Sequence, residues 1–133
     1  MAINNAYQKY RESSINTSSP AELTLMLYNG LVRFLLQSKK AIEEKNIAKA
    51  HENIIRAQDI LMEFQTTLDM QYEISQNLLL LYDYMHRRLV EANVHKDQAI
   101  VHEILQMATE FRNTWEQAMK IAKEDQANQG AAK

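Results

Sequence analysis

No cysteine occurs in the chain, which excludes a disulfide framework and a thiolate metal site. Proline occurs once and glycine twice, so sharp turns have few places to form. Between Pro20 and Gly130 only Gly30 punctuates the sequence. β-Hairpins need turn residues at short intervals, and their scarcity points to an all-α chain. Long apolar runs are missing as well. The longest, over residues 78–82, falls far short of the roughly 20 residues that cross a bilayer. The opening Met1-Ala2-Ile3-Asn4-Asn5 has no basic stretch leading into an apolar one, so it does not read as a secretory signal. Charge of one sign is also lacking. With 15 basic and 17 acidic residues the net charge is −2, which gives no electrostatic reason to expect nucleic acid or an anionic membrane. These absences describe a soluble, cytoplasmic protein with no membrane insertion.

What is present is helical periodicity. Hydrophobic residues make up 46% of the 133, enough for one domain with a real core. Ile47, Ala50, Ile54, Ala57, Leu61, Phe64 and Leu68 recur at alternating steps of three and four, and so do Val101, Ile104, Ala108, Phe111, Trp115, Ala118 and Ala122. Each series is the seam of a helix in a bundle. Ser19-Pro20-Ala21-Glu22 is a helix start, with Ser19 as N-cap, Pro20 at the first helical position and Glu22 closing a capping box. The first helix is expected to run to about Glu44. Asn46 caps a second, which ends near Leu68 or Asp69. A third covers about 73–92. Asp97 caps a fourth that ends near Ala127. Short connections make sequential helices antiparallel neighbours. The expected architecture is an antiparallel up-down-up-down four-helix bundle over residues 19–127. A mobile leader precedes it over 1–18 and a frayed tail follows over 128–133. Ile3, Tyr7 and Tyr10 stand four and three apart on one helical face, so the leader can pack on the bundle as a short helix.

Chemistry is harder to find. A di-iron bundle needs Glu-x-x-His pairs, and no glutamate here has histidine three residues later. His51-Glu52 and His102-Glu103 begin like a zinc-protease helix, but Ile55 and Gln106 stand where the second histidine belongs. There is no phosphate-binding glycine loop. The expectation is no enzyme, no cofactor, no metal and no small-molecule substrate. By contrast, Ile55, Ile60, Met62, Ile100, Leu105, Met107 and Ile121 lie off the two seams. They give these helices apolar surface beyond what a bundle seam needs, which suggests a protein partner. Tyr28, Tyr72, Tyr82 and Tyr84 combine apolar area with a polar tip, a type favoured at interfaces. Gly30 inside the first helix marks either close packing of a neighbouring helix or approach of a partner's backbone.

Two segments are more specific than any generic bundle. They are Ser19-Pro20-Ala21-Glu22-Leu23-Thr24-Leu25-Met26-Leu27-Tyr28-Asn29-Gly30 and Tyr82-Asp83-Tyr84-Met85-His86-Arg87-Arg88-Leu89-Val90-Glu91-Ala92-Asn93. With Tyr7 and Tyr10 in the leader, they closely resemble the FliS family of flagellar secretion chaperones. The resemblance implies a bundle that binds the C-terminal segment of unassembled flagellin, prevents premature polymerisation and delivers it to the flagellar type III export gate, with no cofactor. It makes Tyr7 and Tyr10 candidates for client or gate contact. Leu25, Tyr28, Tyr72, Leu78, Tyr82 and Met85 become candidates for the flagellin grooves. The alternative is a self-associating structural or adaptor bundle whose spare apolar faces pair with another copy.

Overall fold

The computed structural model describes residues 19–131, and the leader lies outside them. Among these described residues four helices follow one another: α1 (Pro20–Glu43), α2 (Ile47–Thr67), α3 (Glu73–His95) and α4 (Gln98–Ala131). No strand occurs among the described residues. Each helix packs on two others, in the ring order α1, α2, α3, α4, and no backbone-level contact crosses either diagonal. The pairings run antiparallel. Tyr28 meets Phe64 across α1 and α2, Asn93 meets His51 across α2 and α3, Arg88 meets Glu103 across α3 and α4, and Trp115 meets Ala21 across α4 and α1. The chain is an all-α, up-down-up-down four-helix bundle.

The helix ends follow local chemistry. Ser19 Oγ accepts from the Glu22 amide at 3.2 Å and Pro20 opens α1. Asn46 Oδ1 accepts from the Lys49 amide at 3.2 Å. Asp97 Oδ1 accepts from the amides of Ala99 and Ile100 at 2.9 and 3.3 Å. These bonds satisfy donors that the first helical turn leaves unpaired. The break between α2 and α3 works differently. Tyr72 holds the N-cap position with no side-chain cap bond, and Asp69 organises the turn instead. Its carboxylate accepts from the Gln71 amide at 3.0 Å, and its carbonyl accepts from Ser75 Oγ at 2.6 Å. α3 continues to His95 rather than ending near Ala92, and α4 continues to Ala131 rather than Ala127.

The core corrects the two-seam picture. Ile60, Ile100 and Leu105 lie off the seams yet are buried. Each helix faces two neighbours, so its buried stripe is broader than a two-position seam. Ile47, at the start of α2, and Ala118 and Ala122, beyond Trp115, lie on the seams yet are exposed. Trp115 stands beside Ala21, where α1 begins, so the part of α4 after it extends past the end of α1. Fully enclosed Leu31, Leu35, Ile54, Leu61, Met85, Leu89 and Ile104 form the centre. Each such side chain contributes about 1.5–3 kcal/mol relative to exposure.

Gly30 is buried against α2, but among the described residues a Cβ there would meet only Ile60 Cδ1, at 3.5 Å, an ordinary van der Waals distance. Packing therefore does not demand glycine at this point. Gly30→Ala is expected to raise stability by about 0.5–1 kcal/mol, the helix-propensity difference, in urea unfolding. A destabilised variant would show that the helices cannot accept the methyl group.

Candidate partner-binding surface

An aromatic cluster joins all four helices. Tyr28 of α1 packs on Phe64 of α2 with ring centroids 4.6 Å apart, and lies 6.3 and 6.5 Å from Phe111 and Trp115 of α4. Tyr82 of α3 packs on Phe64 at 5.4 Å and Phe111 at 5.7 Å. The hydroxyls of Tyr28 and Tyr82 share a buried hydrogen bond of 2.5 Å across the α1–α3 diagonal. Burial pushes both phenols up. For Tyr28 the neighbouring Tyr82 raises it further, while for Tyr82 the hydrogen bond from Tyr28 works in the opposite direction. Both therefore remain neutral hydroxyls at physiological pH.

Three expected client contacts are thus core residues. Tyr28, Tyr82 and Met85 are 5%, 3% and 0% exposed and present no surface to a partner as folded. The tyrosine hydroxyls satisfy one another, so nothing obliges either ring to reach solvent. Leu25 is half-buried. Leu78 is half-buried against the core. Tyr72, at 65% exposure, stands free beside the α2–α3 turn. Tyr7 and Tyr10 lie outside the described residues.

The accessible apolar surface gathers on α3 and its border with α4. Leu81 of α3 joins Met107, Glu110, Phe111 and Thr114 of α4 around an open cavity of about 290 Å³. Leu80 is 69% exposed, and Ile74, one helical repeat before Leu81, is 63% exposed. The run 78–82 contains the clue to this surface. Successive residues project about 100° apart, so four leucines followed by a tyrosine cannot all enter one core. Nothing in the run alone says which leucine stays outside.

One end of the α3–α4 border is closed by polar groups. The Tyr84 hydroxyl donates to Glu103, which Arg88 also binds at 3.1 Å, and Arg88 bridges to Glu91 at 2.7 Å. Tyr84 holds the Glu103 carboxyl below the usual carboxylate range, helped by Arg88 against the effect of desolvation. Hydrogen bonding to Glu103 in turn raises the Tyr84 phenol. On the outer face, Arg87 pairs with Asp83 at 2.9 Å, a local link of helix spacing.

The resemblance implied a helical bundle, and comparison with known sequences decides the family. The family described as "Flagellar protein FliS" matches residues 3–122. The chain belongs to the FliS family. It is 42% identical over 130 residues to the flagellar secretion chaperone FliS of Bacillus subtilis (strain 168), covering 98% of both chains. The chaperone of the same name from Vibrio cholerae serotype O1 is 30% identical over 115 residues, covering 84% of this chain and 85% of that one. That of Salmonella typhimurium (strain LT2) is 30% identical over 109 residues, covering 80% and 81%. The class is that of flagellar export chaperones. Among the described residues no helix is long and apolar enough to cross a membrane.

Two outcomes follow from the polar groups. Tyr28→Phe leaves the Tyr82 hydroxyl buried without its partner and should cost about 1–3 kcal/mol, whereas adding Tyr82→Phe should recover part of that loss. A double-mutant cycle in urea measures the difference. The Glu103 carboxyl is lowered on folding, so its stabilising contribution is complete above the ordinary glutamate value of 4.5 and is lost as pH falls through the folded value. Glu103→Gln should flatten the fall in stability below about pH 4.5 in acid titrations followed by circular dichroism.

Proposed function

We propose that the chain is a cytoplasmic chaperone for flagellin, holding the C-terminal segment of the unassembled subunit and handing it to the flagellar type III export gate. Holding that segment would keep the subunit from polymerising early. The reading needs no cofactor, no nucleic acid, no small-molecule substrate and no covalent chemistry. The observation that carries it is the apolar border of α3 and α4 around Leu81, Met107 and Phe111 in a member of this family. An export client kept unfolded presents amphipathic segments, and these dock by laying an apolar face into such a groove. A disordered client that orders on binding can cover several helices at moderate affinity. Tyr72, Leu78 and Leu25 would extend the contact along the bundle. Tyr7 and Tyr10, with Ile3, would cover apolar surface while no client is bound, then yield to it or turn to the export gate.

Titration calorimetry with a peptide of the last ~40 residues of the cognate flagellin tests the reading, that length matching a pair of groove-bound helices. The expected result is saturable 1:1 binding with a large negative heat-capacity change. Leu81→Glu should weaken binding at least about tenfold while leaving thermal stability nearly unchanged, because the leucine is a surface residue. Deleting residues 2–18 should change client affinity and lower the solubility of the free chain. No binding by the intact chain, with a dimer that persists on dilution, would assign the exposed leucines to self-association instead.

A further inference from the structure

Asn29 and Gly30 form the only Asn-Gly pair in the sequence, and it sits in the middle of α1. Asn-Gly is the dipeptide in which a backbone nitrogen most readily attacks the preceding side-chain amide. Glycine has no Cβ to obstruct ring closure and has the freest backbone. Asn29 is exposed on the outside of α1, and its Oδ1 accepts from Arg112 Nη1 of α4 at 3.5 Å. Arg112 also donates to Asn113 Oδ1 at 2.7 Å, and its Nε is buried without a partner among the described residues. The amide oxygen of Asn29 therefore meets the neighbouring helix through one long contact.

We propose that Asn29-Gly30 is a deamidation site whose chemistry is gated by local unwinding of α1 where it lies beside α4. The Gly30 nitrogen, having lost its proton, attacks Cγ of Asn29, and the side-chain nitrogen leaves as ammonia. Water then opens the five-membered succinimide to aspartate or isoaspartate. The balance is one water consumed and one ammonia released, with no change of oxidation state. Inside the helix the step is blocked twice. A helical ψ of about −42° holds the Gly30 nitrogen away from Cγ. The same N–H is committed to the carbonyl four residues earlier. Unwinding removes both restraints and takes the amide away from Arg112. Glycine weakens the helix where that unwinding is needed. An isoaspartate product sends the main chain through the former side chain, adding a backbone atom next to Tyr28. Helical hydrogen bonds that span residue 29 then lose register, so the product cannot close α1 again. An aspartate product keeps the helix and faces Arg112 as an ion pair. The site thereby converts time spent unwound into a covalent mark.

The test uses the full chain, incubated at neutral and mildly alkaline pH with and without urea. Peptide mapping follows amide-to-acid conversion at each asparagine, and isoaspartate-specific methyl transfer follows the rearranged product. Asn29 should convert ahead of Asn93 and Asn113 in urea, faster at higher pH, and at least about tenfold more slowly in the folded chain. Arg112→Ala should speed the folded-state reaction several-fold and leave the reaction in urea unchanged. Gly30→Ala should suppress it in both conditions. Asn29 reacting no faster than Asn93 in urea would overturn the site. Equal rates with and without urea would overturn the gating. An unchanged folded-state rate in Arg112→Ala would overturn the part given to Arg112.

Discussion

The hydrogen bond between Tyr28 and Tyr82 is the constraint on which the bundle's geometry turns. A ring of four helices leaves its diagonals apart at the backbone, so only long side chains can connect opposite members. Here two phenols meet end to end in the centre, with Phe64 on one side and Phe111 on the other. Their rings supply large apolar area, and their hydroxyls have no other reason to tolerate burial than each other. A slip of α1 or α3 by a turn would separate the pair and leave two buried hydroxyls unsatisfied, and a slip of α2 or α4 would carry Phe64 or Phe111 off the two rings. The aromatic centre therefore sets register among all four helices, where leucine and isoleucine packing alone would tolerate several alternatives.

Fixing Tyr82 inward also decides what α3 must leave outside. With Tyr82, Met85 and Leu89 in the core, Leu80 and Leu81 point elsewhere. Tyr84 faces α4, where its hydroxyl meets Glu103. The apolar surface and the polar closure beside it are two results of one helical phase. The α3–α4 border thus holds a stable polar anchor at one point and accessible apolar area about one turn away. That combination gives a partner somewhere to bind without requiring the bundle to come apart.

Much of the fold was readable in the sequence because its boundaries rest on local chemistry. Ser19-Pro20, Asn46 and Asp97 are caps whose partners lie within three residues, so spacing alone exposes them. The α2–α3 turn was harder to interpret, since Tyr72 does not cap and Asp69 acts from three residues before it. The surface was less legible for a different reason. Tyr28 and Tyr82 look like interface residues in isolation, and what puts them inside is a partner 54 residues away. Ile60, Ile100 and Leu105 looked spare only because the seams were drawn for one neighbour per helix. Leu81 and Met107 become a surface only once two helices are side by side. Long-range juxtaposition, not composition, carries that information.

Trp115 has a consequence of a different kind. It is the single tryptophan of the chain, and its indole nitrogen donates to the Ala21 carbonyl at 2.9 Å, where α4 passes the first turn of α1. Its ring also lies beside Tyr28, within the cluster that couples the helices. Tryptophan emission from this protein therefore comes from one chromophore at a known place. Its emission colour reports wetting at that end of the bundle, and energy passed from the neighbouring tyrosines reports whether the aromatic centre is assembled. The molecule carries its own optical gauge of closure, with no label required.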